Sequence, residues 1–152
     1  MPRIATWVKL KDKQSGKFLS VFNTHFDHIG VQARQESVKL MLRFVESLRE
    51  DIPTIIMGNF NIPEGDMPYQ LLADKDQNKM GFIDSKYSSR FPHAGPVATF
   101  NGFSDEVIRK EAIDFIFVNE RIETRSHATL EIKEGSVFVS DHYPVMISAD
   151  LR

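Results

Sequence analysis

Three short clusters of reactive side chains each stand at one end of an apolar run. Asn23-Thr24-His25-Phe26-Asp27-His28 closes the run at 19–22, and Gly58-Asn59-Phe60-Asn61 closes the run at 55–57. Ser140-Asp141-His142 lies just before Tyr143-Pro144-Val145-Met146-Ile147. An imidazole can stabilise or protonate an oxygen near neutral pH. A free carboxylate such as Asp141 can hold a hard divalent cation or orient a histidine. The Asn61 carboxamide can donate to a phosphate oxygen or hold a metal-bound water. Polar groups gathered at strand ends are how a sheet presents a reactive site.

Each residue also has a plainer use. Asn59 and Asn61 are alternate residues, so an extended segment points both to one side, but turn asparagines also bond their own backbone. Asp114 lies in Ile113-Asp114-Phe115-Ile116-Phe117-Val118. A lone carboxylate in an apolar strand is costly unless paired. It would accept a proton from an imidazole and fix its tautomer, or sit exposed on an edge strand. His25 could donate to a phosphoryl oxygen, with Asp27 and His28 as loop support. Their spacing is wrong for a helix-borne HExxH zinc site. Ser140-Asp141 could simply cap a turn.

The elements that must position these groups follow from periodicity. Alternation over 3–11, a turn at Gly16 and a second strand over 18–24 predict a hairpin. Val38, Met41, Leu42, Val45 and Leu48 recur at steps of three and four, predicting a helix over 31–49. Residues 54–57 read as a short buried strand. A short helix over 67–72, a polar loop over 74–79, extended segments at 81–85 and 97–100, and a strong strand over 112–118 interrupted by Asp114 follow. Alternation in Ala128, Leu130 and Ile132 predicts another strand, and residues 144–149 the last. The order β-β-α-β predicts an α/β (α+β) fold, with helices for one sheet face only.

The 152 residues amount to one domain, 1–152, or part of one, with a formal net charge of −2 and no cysteine. Nucleic acid is not supported by bulk charge, although a bound metal can supply positive charge locally. There is no signal peptide or apolar run long enough to span a membrane, which leaves the cytoplasm as the default. A strand pattern beginning at residue 3 reads as a chain entered partway through a larger fold.

The ordered motifs Asn23-Thr24-His25, Gly58-Asn59-Phe60-Asn61, Ile113-Asp114-Phe115-Ile116-Phe117 and Ser140-Asp141-His142 resemble the endonuclease/exonuclease/phosphatase superfamily, the DNase I-like proteins. Val97-Ala98-Thr99-Phe100-Asn101-Gly102-Phe103 resembles a companion motif. The resemblance covers the C-terminal portion of the family fold. It implies half of a DNase I-like α/β sandwich with mixed, largely antiparallel sheets, or one completed by a homodimer or higher oligomer. It also implies phosphoester hydrolysis, by a phosphodiesterase, nuclease or phosphatase, with Mg2+ or Mn2+ and in-line attack by water. Carried over by motif, His25, Asn59, Asn61, Asp114 and His142 form the catalytic set. His25, Asn61, Asn101 and His142 contact substrate, and Asp141 and Asn61 serve the metal. Two departures bear on activity. The family has Gly-Asp-Phe-Asn where this chain has Asn59, which cannot take a proton as a carboxylate does. A family metal-binding Glu and an Asn precede the point where this chain begins. The expectation is therefore weak or lost hydrolysis. The alternative is a non-catalytic fragment that binds phosphate or metal. The substrate is not fixed by the sequence.

Overall fold

The computed structural model describes residues 3–74 and 78–152. The expected polar loop over 74–79 therefore lies partly outside the described residues. The opening alternation becomes β1 (Ala5–Lys11) and β2 (Phe18–His25), an antiparallel hairpin with Gly16 at φ 73° in its turn. The apolar stripe becomes α1 (Val31–Ser47), which carries the chain across to β3 (Thr54–Asn59), parallel to β2. Then come α2 (Met67–Ala73), β4 (Ile83–Asp84), α3 (Ser85–Ser88), β5 (Asp114–Val118), β6 (Ile122–Thr129), β7 (Lys133–Glu134), β8 (Val137–Phe138) and β9 (Val145–Leu151). The main sheet is mixed, in the order β1-β2-β3-β5-β4; β6 and β9 form a second sheet, and β7–β8 a small hairpin.

Strand alternation sends side chains to two different covers. Phe22, Ile56, Phe115 and Phe117 face Val38, Met41 and Val45 of α1 and Tyr69 and Leu72 of α2. Full burial of such a side chain contributes about 1.5–3 kcal/mol. Ile116 and Val118 point the other way, against Ile122, Val145, Ile147 and Leu151 of the second sheet. Burial on both sides explains the continuous apolar run of β5. The second face thus has its own cover, β6–β9, where the sequence reading supplied none. That cover stops short of β1. Trp7 stacks on Phe22 toward α1, which turns Val8 and Leu10 to the other face, where they stay 43% and 50% exposed.

Several boundaries differ from the sequence reading. Asp114 begins β5 rather than interrupting it. Residues 97–100 make only an isolated bridge, Phe100 to His142. The extended stretch at 81–85 shrinks to β4, because Asp84 accepts from Lys86 N and starts α3. The strand expected around 128–132 lies earlier, as β6; a register shift between Thr124 and Ser126 breaks its alternation.

Candidate active site

The register of the main sheet sets three motif residues side by side. His25 at the end of β2 pairs with Asn59 at the end of β3, and Asn59 pairs with Asp114 at the start of β5. Neighbouring strands lie about 4.8 Å apart, so the row spans about 10 Å. Gly58 makes the approach of β2 and β3 possible. It has φ 135°, and a Cβ there would sit 1.9 Å from the Thr24 carbonyl oxygen. Asn59 Oδ1 accepts from Asn61 N at 2.8 Å, closing a turn beyond the strand. Asn61, at φ 53°, donates through Nδ2 to the Phe26 carbonyl at 3.0 Å. Asparagine tolerates that left-handed conformation better than most residues. Both asparagines therefore do the turn work that their residue type allows, and Asn61 is fixed beside the row.

His142 reaches the row from the segment before β9. Its Nδ1 lies 2.8 Å from Asp114 Oδ2. A carboxylate only accepts, so Nδ1 carries the proton and Nε2 is the ring's other pole. The same Asp114 oxygen accepts from Thr99 Oγ1 at 2.6 Å. The Phe100 ring stands edge-on to the imidazole, with centroids 5.0 Å apart. The turn that delivers His142 is held by Ser140 Oγ, which accepts from His142 N at 3.1 Å. Buried Asn101 clamps it from outside: Asn101 N donates to the Asp141 carbonyl at 2.8 Å, and Asn101 Nδ2 to the Ser140 carbonyl at 3.1 Å. Asn101 thus engages this turn through the main chain, while Asp141 keeps its carboxylate for other use.

The two histidines are driven in opposite directions. The hydrogen bond His142 donates to Asp114 lifts the imidazole above its ordinary value, against the effect of burial; Asp141 adds to the lift and Arg109 opposes it. Burial lowers His25, and the positive neighbours Arg3 and His142 lower it further. One imidazole is thus raised and the other lowered within one site, the kind of separation that divides acid from base. Asp27 and His28 stand apart from this pairing. The Asp27 carboxylate accepts from Gly30 N at 3.1 Å at the start of α1, and His28 meets Arg3 at 3.2 Å in an exposed position.

A cavity of about 300 Å³ opens between the two sheets beside this end of the molecule, lined by Asn23, Gly58, Asp114, Ser140, His142 and Tyr143. The residue that sequence reasoning missed is Thr99. It lay inside the companion motif, but a threonine before a phenylalanine reads as an ordinary strand former.

The chain belongs to the endonuclease/exonuclease/phosphatase family, whose model matches residues 2–142. Family enzymes are generally dependent on a divalent metal. The fold is similar to part of an endonuclease/exonuclease/phosphatase from Bacteroides vulgatus, 31% identical with a TM-score of 0.88 over 99% of this chain and 56% of that one. A mannosyl-6-phosphatase from Bacteroides thetaiotaomicron is 28% identical, with a TM-score of 0.87 over 99% and 58%. TDP2 from D. rerio, solved with a single-strand DNA product, shares the fold at 16% identity and a TM-score of 0.74, over 97% of this chain and 62% of that one. The chain spans little more than half the length of these proteins. No curated protein matches it with significance. Among the described residues no helix is long and apolar enough to cross a membrane.

As a metal cradle the donors here are few: the described residues contain no group of three or more His, Asp or Glu able to hold an ion. Asp141 and Asn61 offer hard oxygen donors, the type that suits magnesium. Magnesium commonly takes one or two carboxylates and completes its shell with water and substrate phosphate.

Proposed function

We propose that this site binds a phosphoester and is built for its hydrolysis, at a rate that Asn59 holds very low. The observation that carries the reading is the Asp114–His142 pair placed beside Asn59 and His25 at one end of the sheet. His25 donates to a phosphate oxygen, and His142 does so through Nε2 once that nitrogen is protonated. Asp114 keeps the His142 proton on Nδ1 and so fixes which nitrogen faces the cleft. Asn61, anchored on Phe26, orients the phosphate, and Asn101 shapes the turn that carries His142. Mg2+ or Mn2+, held by Asp141 and Asn61 with water and the phosphate itself, would supply charge neutralisation. Asn59 stands where the family's Asp would accept a proton from the attacking water. Its Oδ1 already accepts from Asn61 N, so the fold is kept while the base is lost.

The likeness to a mannosyl-6-phosphatase and the net charge of −2 favour a small phosphomonoester over nucleic acid. The test is to assay a phosphomonoester and a bis-phosphodiester with magnesium and with manganese, for this chain and for Asn59→Asp. A positioned general base contributes typically about 10²–10⁴-fold, and a rise of that order in the Asp variant supports the reading. Ordinary turnover by the unaltered chain, about 1 per second or more, overturns the role given to Asn59. If neither version acts yet both bind phosphate, the chain is a phosphate-binding relative rather than an enzyme.

A second copy of the chain is the proposed cover for Val8 and Leu10 on β1. Sedimentation at micromolar concentration checks it: a mass well above 17.4 kDa supports the homodimer or higher oligomer, and a monomer ends it.

A further inference from the structure

We propose that Thr99 is a positioning residue of the phosphoester site, locking the Asp114 carboxylate that orients His142. This rests on the hydrolase reading for its consequence in catalysis, but not for its geometry. Thr99 is 1% exposed. Its Oγ1 accepts from Ile113 N at 3.0 Å and from Asp114 N at 3.2 Å. A hydroxyl has two acceptor sites and one proton. With both acceptor sites filled by backbone N–H groups, the proton has one direction left. It points at Asp114 Oδ2, 2.6 Å away. The rotamer is therefore decided by the backbone at the start of β5, before any imidazole arrives.

The oxygen so held is the one that meets His142 Nδ1 at 2.8 Å. Thr99 also governs the other partner. Its carbonyl accepts from Tyr143 N at 2.7 Å, directly after His142, and Phe100 bridges to His142 itself. One residue thus bonds the carboxylate through its side chain and the histidine's segment through its main chain. Asp114 and His142 are 28 positions apart in sequence, and Thr99 fixes their separation from between them. A carboxylate χ2 is a broad, two-fold torsion. Without the hydroxyl, the Asp114 carboxylate keeps the imidazole as its hydrogen-bond partner among the described residues, and that pair loses its fixed anchor.

The experiment compares Thr99→Val, which keeps the shape and removes the hydroxyl, with Thr99→Ser, which keeps the hydroxyl and removes the methyl. Proton–nitrogen NMR of the His142 ring reads the Nδ1–H directly and needs no turnover. The unaltered chain and Thr99→Ser should show one tautomer with a protected Nδ1–H signal. Thr99→Val should lose that protection and mix the tautomers. If the valine variant does not fold, Thr99→Ala, which leaves room for a water on the two N–H groups, takes its place with the same expected signal. In the Asn59→Asp background, kcat for a phosphomonoester should fall about 10-fold or more in Thr99→Val with KM little changed, and serine should restore it.

A folded valine or alanine variant with the protected signal intact overturns the proposal. So does a serine variant that fails to restore the signal, since packing of the methyl would then be what matters. Loss of the signal with rescue by serine, in a protein that hydrolyses nothing, upholds the role of Thr99 and removes the hydrolase reading alone.

Discussion

Two aspartates are tied to opposite ends of β5, and they are put to opposite uses. Asp114 begins the strand and looks into the cleft, with an imidazole and a hydroxyl on one oxygen. Asp84, on β4 opposite Phe117, is 1% exposed; it accepts from the Tyr69 hydroxyl at 2.9 Å and from Lys86 N at 2.9 Å. Its partners are neutral, so burial dominates and lifts the carboxyl to about 6. The partner of Asp114 can take up charge, and the carboxylate lifts the imidazole of His142 instead. Depth alone does not decide what an aspartate does beside a sheet. The partner's own ability to change charge does.

The sharpest break in this comparison comes at Asp114. Asp114→Asn in the Asn59→Asp background should lower phosphoester turnover about 10²–10⁴-fold, the usual worth of a positioned acid or base. It should also return His142 toward the ordinary imidazole value, because the hydrogen bond that lifts it is the leading cause. Asp84→Asn should leave turnover as it was. Equal losses from the two substitutions would mean that the site depends on general integrity of β5 rather than on the imidazole pair.

Much of this was legible before any coordinates. The β1–β2 hairpin, α1 and β3 follow from alternation and a helical stripe because each buries one uniform face. His25, Asn59, Asn61, Asp114 and His142 stand out in the sequence as side chains ending or interrupting apolar runs. What the sequence hid was long-range. The bulge near Thr124 and Ser126 disguised β6, and nothing local announced that β6–β9 would cover the second sheet face. Thr99 escaped notice because its meaning depends on Asp114 and Tyr143, 15 and 44 positions away. The β7–β8 hairpin around Gly135 is too short for periodicity to reveal.

Stability separates the two aspartates in a second way. A carboxyl lifted to about 6 from the ordinary 3.8 favours folding most below pH 3.8, where both states are protonated. That contribution is lost as pH rises toward 6, by about 3 kcal/mol across the window. Asp84→Asn should remove this loss, so that the variant gains on the unaltered chain between pH 4 and pH 7 in urea melts. Identical pH slopes for the two would show that Asp84 is not the group that titrates.

The smallest effect is the one expected from Asp84 and His127 together in the unaltered chain, because the histidine opposes Asp84. His127 on β6 is 6% exposed, and its Nδ1 lies 2.8 Å from His93 Nδ1. The Nε2 of His93 meets the Pro96 carbonyl at 3.0 Å, so His93 donates there and its Nδ1 accepts from His127. Burial, then His93 and Lys86, hold His127 down to about 4, with Glu64 acting weakly the other way. A base lowered in the folded state stabilises fully above the unfolded value of 6.5, and that stability is lost as pH falls toward 4, again by about 3 kcal/mol. The aspartate penalises the rise through this range and the histidine penalises the fall. Their sum over pH 4 to 6.5 should be nearly flat. Each substitution should unmask the other group: Asp84→Asn should lose stability on acidification, and His127→Asn should lose it as the pH is raised. If instead both variants keep the profile of the unaltered chain, neither buried group titrates differently in the folded protein, and the contrast between Asp84 and Asp114 reduces to exposure.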